Sequence, residues 1–223
     1  MRNPERHFQF GILLTALMLI ATGNGYPMVL LLGISTILLF RRNHSELAAL
    51  QPYGGWANYL TLLRAMTLVV LLLLPAIHDS IWPGILGLAV ALADVLDGWL
   101  AKKLNCRTTA GSIIDDQTDA LFMLVLGFIA YRTSRCGAYI LIPGIVKYGK
   151  DLLSRELSGF FKPHIRIPFS KTVAGIGFIA YATPFLLEKT LYEPLCIGAV
   201  VLLCISFGSE LALRWTFRKT SSR

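Results

Sequence analysis

About eight apolar stretches, near residues 9–23, 26–40, 59–77, 81–100, 112–131, 136–154, 172–187 and 192–213, dominate the 223-residue chain. A helix that crosses a bilayer needs about 20 apolar residues, with a range near 17–25. Most of these stretches approach that length, so the pattern predicts an all-α membrane protein. The first two are short, and Gly23, Gly25 and Pro27 lie between them. They read as a tight helical hairpin or a partly re-entrant segment. Composition agrees, with 55% hydrophobic and only 15% charged residues. A soluble domain carries about 25% charged residues.

The net charge of +8 could suggest nucleic acid. A nucleic-acid binder spreads Lys and Arg over a polar face interleaved with aromatics. Here the basic residues crowd between apolar stretches, as in loops that face cytoplasm and anionic lipid. With both termini inside and eight alternating spans, the inner segments hold Arg2, Arg6, Arg41, Arg42, Lys102, Lys103, Arg107, Arg155, Lys162, Arg166, Lys171, Arg214, Arg218, Lys219 and Arg223. The outer ones hold Arg132, Arg135 and Lys189. The predicted protein is therefore integral and multi-pass, with no nucleic-acid partner.

Cys106, Cys136, Cys196 and Cys204 form no CxxC pair and read as small apolar residues. The N-terminus does not read as a cleavable signal. The sequon at Asn43 falls on the inner side and is ascribed to chance. Residues 41–58 are mixed in polarity and contain Pro52, Gly54 and Gly55. They read either as an interfacial helix on the membrane or as a solvated linker.

Charged side chains inside apolar spans are expensive, about +2.5 to +3.5 kcal/mol for Asp at a helix centre, and usually face a cavity with a job to do. Asp94 and Asp97 lie near the inner end of one stretch; Asp115, Asp116 and Asp119 open the next. Spacings of three and four put Asp94 with Asp97, and Asp115 with Asp119, each on one helical face. A short loop joins the two helices, so the faces can meet. Four converging carboxylates repel and would take up protons unless cations neutralise them. Oxygen-only ligands suit hard ions such as Mg²⁺ or Mn²⁺. Gly98, Ala101 and Gly111 leave room for a ligand near the backbones, and Lys102, Lys103 and Arg107 add charge complementary to a diphosphate. Asp116 reads as a solvated carboxylate near a helix N-terminus.

The run Asp94-x2-Asp97-Gly98-x2-Ala101-Lys102-x8-Gly111-x3-Asp115-x3-Asp119 resembles the signature of the CDP-alcohol phosphotransferases. At about 7% usage per residue type, agreement at seven fixed positions is on the order of 10⁻⁸ by chance per starting point. Composition therefore does not explain it. The family usually has Arg where this chain has Lys102, which keeps the charge but not the planar bidentate fork. Asn58-x-Leu60-Thr61-x2-Arg64 resembles the family's segment before the motif, Arg155-Glu156 a pair after it, and Ser170-Lys171 a small-residue–Lys element.

The resemblance implies a six-helix transmembrane catalytic core over residues 56–223, preceded by an N-terminal hairpin and linker over residues 1–55 whose role is unassigned. It implies two divalent cations held by Asp94, Asp97 and Asp115, with Asp119 as general base and a further ligand of the same ions. Asn58, Asp94, Gly98, Ala101, Lys102 and Gly111 would bind the CDP part of the donor. The expected reaction is phosphatidyl transfer from CDP-diacylglycerol to a small polar alcohol, with CMP released. The acceptor stays open between glycerol 3-phosphate, an inositol phosphate and other alcohols. Arg155, Arg166 and Lys171 either bind a phosphate on it or anchor helices to lipid headgroups. An alternative within the family moves phosphocholine or phosphoethanolamine from a CDP-aminoalcohol to diacylglycerol. A cation-coupled transporter would place its carboxylates near the midplane on broken helices, unlike these. The family also implies a homodimer among membrane lipids.

Overall fold

In the computed structural model, residues 4–48, 55–103, 108–156 and 168–220 are described, and all regular structure among them is helical. The helices are α1 (Pro4–Thr22), α2 (Tyr26–Arg42), α3 (His44–Ala48), α4 (Gly55–Leu73), α5 (Trp82–Lys103), α6 (Thr109–Arg132), α7 (Ile142–Glu156), α8 (Pro168–Ala182) and α9 (Lys189–Thr220).

The centre of the bundle is α6, in which every residue from 120 to 130 is buried. It packs against α4, α7 and α8, while α5 spans α4 and α8, and α9 closes the far side against α7 and α8. The Phe122 and Phe178 rings meet at 4.6 Å between centroids, fixing α6 on α8. The first two stretches form a hairpin: α1 and α2 pack together, and α1 also lies along α7. Gly23 closes α1 with φ of +74° and donates its N–H to Leu19 O at 2.8 Å. That left-handed conformation suits glycine, which has no Cβ to clash.

Helix ends fall where proline and glycine dictate. α4 stops at Leu73, before Pro75. The apolar stretch 136–154 is not one helix. Gly137 and a short 3₁₀ turn over Ala138–Leu141 precede α7, which begins at Ile142 with Pro143 in its first turn. Likewise α8 gives way at Thr183–Phe185 to a 3₁₀ turn around Pro184. Of the 41–58 segment, α3 is a short helix directly after α2, and residues 49–54 lie outside the described residues.

Two ends of the bundle differ in chemistry. At one, Arg135 donates from Nη1 to Pro184 O and from Nη2 to Asp79 O, both at 2.9 Å, and Tyr192 donates to Arg135 O at 2.8 Å. At the other lie the starts of α4 and α6 and the end of α5, where the aspartates sit. Within a mainly apolar core Asn58, Thr61, Arg64 and Lys147 are also buried, and Leu30, Ile37, Leu63, Met66, Leu92, Val95 and Ile205 are exposed. Among the described residues one segment, Lys189–Glu210 of α9, is long and apolar enough to cross a membrane. Shorter apolar helical segments occur at Phe10–Thr22, Asn58–Leu73, Trp82–Leu96 and Thr172–Phe185.

Candidate active site

The start of α6 is set by Thr108, an extended residue whose hydroxyl accepts from Gly111 N at 2.9 Å. A threonine N-cap satisfies a donor that the first turn leaves without an intrahelical partner. Asn58 on α4 donates from Nδ2 to the same hydroxyl at 3.0 Å. A Cβ on Gly111 would collide with Asn58 Oδ1 and stand 2.8 Å from Thr108 Oγ1. The glycine thus makes room for the Asn58 side chain, and Asn58, Thr108 and Gly111 form one buried polar corner at the start of α6.

One turn further, Asp115 and Asp119 project from the same face of α6, and Asp94 meets them from α5. Oxygens of the three carboxylates all lie within 4.8 Å of one another. Arg64 on α4 stands among them. Its Nη1 is 2.9 Å from Asp94 Oδ1 and 3.1 Å from Asp115 Oδ1, and its Nη2 is 3.2 Å from Asp119 Oδ1. The guanidinium's planar fork can serve several carboxylates at once, which an ammonium cannot do in one fixed geometry. From α7, Lys147 Nζ approaches the other oxygen of Asp119, Oδ2, at 3.6 Å.

Burial grades the three acids. Asp115 is 43% exposed, Asp94 30% and Asp119 18%, against 1% for Arg64. Asp119 is the innermost, faced by a cation at each oxygen. Three carboxylates and two cations leave one net negative charge among these groups, so a divalent cation is electrostatically welcome. The donors are hard carboxylate oxygens, the set Mg²⁺ and Mn²⁺ prefer. The residues fit such an ion, with Asp94, Asp115 and Asp119 able to hold it.

Of the residues expected from the sequence, Asp94, Asp115 and Asp119 are brought together, and Asn58 and Gly111 lie in contact beside them. The backbones of Asp97, Gly98, Ala101 and Lys102 continue α5 past Asp94, and those of Arg155 and Lys171 lie in α7 and α8. The side chains of these six, and Arg166 entirely, lie outside the described residues. Asp116, partly exposed, is not in the triad. Sequence reasoning noted Arg64 only as part of a resemblance and passed over Lys147 and Thr108. The rule that singled out the aspartates, a charge within an apolar stretch, applies equally to Arg64 and Lys147.

The chain belongs to the CDP-alcohol phosphatidyltransferase family, whose sequence model matches residues 55–205. It is also similar to a CDP-diacylglycerol–glycerol-3-phosphate 3-phosphatidyltransferase of Wigglesworthia glossinidia brevipalpis, 29% identical over 101 residues. That match covers 44% of this chain and 55% of the relative, about half of the relative's length. No solved structure matches.

Proposed function

We propose that the chain is a multi-pass membrane enzyme of phospholipid synthesis that transfers the phosphatidyl group of CDP-diacylglycerol to glycerol 3-phosphate. The observation that carries this reading is the convergence of Asp94, Asp115 and Asp119 from two helices onto one point, with oxygens within 4.8 Å. The choice of acceptor draws on the name of the Wigglesworthia relative and on the basic residues Arg155, Arg166 and Lys171 near the same end of the sequence pattern. Large apolar side chains exposed on the helices, beside buried Asn58, Arg64 and Lys147, support placement in a bilayer. The bias of basic loops supports a site facing the cytoplasm. A homodimer rests on the family resemblance.

Asp94 and Asp115, with Asp97 by motif position, are the metal-holding carboxylates. When bound, divalent cations would neutralise the donor's diphosphate and the departing CMP. Asp119, the innermost acid, takes the proton of the acceptor hydroxyl. The acceptor oxygen bonds to the phosphorus remote from cytidine while the bond from that phosphorus to the CMP oxygen breaks, and CMP leaves with the electron pair. Arg64 holds the three acids together. Asn58, Gly98, Ala101, Lys102 and Gly111 shape the cytidine diphosphate side.

The test is a panel of acceptors offered to purified protein with CDP-diacylglycerol and Mg²⁺ or Mn²⁺, each product identified by mass. Phosphatidylglycerol phosphate from glycerol 3-phosphate, well above the yield from inositol phosphate, serine or inositol, is the expected outcome. A phospholipid made only from another alcohol would replace the acceptor assignment.

A further inference from the structure

Helix α7 carries two lysines, three residues apart, each with its side chain only 10% exposed. Lys150 has a structural task. Its Nζ lies 2.7 Å from Glu210 Oε2 and 5.0 Å from the centre of the Phe207 ring, tying α7 to α9. Lys147 faces α6 instead, with Nζ 3.6 Å from Asp119 Oδ2, while Oδ1 of the same carboxylate is met by Arg64. The separation is longer than the 2.7–2.9 Å of a charge-assisted hydrogen bond. It is an electrostatic contact rather than a hydrogen bond.

The approach is built into the backbone. A Cβ on Gly144 would stand 3.0 Å from Leu124 N and 3.1 Å from Leu124 Cα, so α7 lies directly against α6 there. Lys147 is three residues on, on the same helical face. A lysine held inside an apolar bundle is expensive unless paired, and one of its pairings is with Asp119.

We infer that Lys147 is a positioning residue that turns Asp119 toward the acceptor and away from full coordination of metal; this rests on the reading of Asp119 as the proton acceptor. The arrangement implies a trade. The ammonium weakens cation binding at the triad by charge repulsion and holds Asp119 free to work as a base.

The experiment compares wild type with K147M, K147R and K147Q, measuring Mn²⁺ affinity by calorimetry without donor, and kcat and KM with donor and acceptor. Removing one positive charge a few ångströms from the ion in K147M should tighten Mn²⁺ binding on the order of tenfold. The same change should lower kcat about tenfold, less than loss of the base itself would, with donor KM nearly unmoved. K147R should resemble wild type in both. K147Q gives the same reading as K147M where methionine prevents folding. Unchanged or weaker Mn²⁺ binding in the folded neutral variant, or an unchanged kcat, overturns the proposal. Absence of CMP release by wild type itself would instead sink the transfer reaction, and the Mn²⁺ titration would then decide Lys147's charge effect alone.

Discussion

Arg64 on α4 and Asp94 on α5 are joined at 2.9 Å, and the same guanidinium nitrogen continues to Asp115 on α6 at 3.1 Å. One buried side chain thereby ties three helices at the point where their carboxylates would otherwise repel. Removing one partner of a buried ion pair typically destabilises by about 3–5 kcal/mol because the other charges stay behind. The partly exposed acids put Arg64→Met near the lower end of that range. Unfolding in detergent, followed by helical signal, should show the loss; an unchanged midpoint in R64M would show that the acids do not need this counter-charge.

Asp119 and Asp115 should separate in function although they share a helical face. Asp119→Asn should lower turnover by about 10²–10⁴, the usual range of general acid–base catalysis, while Mn²⁺ binding remains measurable. Asp115→Asn should weaken Mn²⁺ binding first. Calorimetry beside a CMP-release assay checks both, and loss of Mn²⁺ binding in D119N would make that residue chiefly a ligand.

Gly111 is a second specific test, because its missing Cβ is replaced by Asn58. Gly111→Ala forces Asn58 or the start of α6 to move, and overpacking of this kind destabilises by about 1–3 kcal/mol. Donor KM should rise with the displaced Asn58. A Gly111→Ala protein with wild-type stability and KM would remove the polar corner from the site.

At the opposite end, Arg135→Ala removes the donors to Pro184 O and Asp79 O. Hydrogen bonds from a charged group contribute about 1.5–3 kcal/mol each, less where solvent substitutes. The variant should unfold earlier yet keep its kcat, because the aspartates sit at the other end. A large fall in kcat at full folding would show that the two ends communicate.

The helices were legible because apolar stretches bounded by Gly and Pro announce themselves, and the aspartates because charge in an apolar run is costly. The stretch 136–154 shows the limit. Its average polarity conceals that Gly137 and Pro143 delay the helix to Ile142, and that Lys147 and Lys150 make α7 two-faced. Arg64 was hidden by its place near the start of an apolar stretch, where a basic residue usually reads as an anchor; only the packing of α4 on α5 and α6 turns it inward. At Gly111 spacing indicates free room without saying that the Asn58 side chain stands beside it. The acceptor is least legible, because Arg155, Arg166 and Lys171 carry charge without geometry.

The central claim is metal-dependent phosphatidyl transfer at the aspartate triad, and the most direct measurement is CMP release by purified protein given CDP-diacylglycerol and glycerol 3-phosphate. Release should occur with Mg²⁺ or Mn²⁺, stop in excess EDTA, return on adding metal, and be lost in D119N. A folded protein that releases no CMP with either ion, or releases it equally in EDTA, would contradict the account.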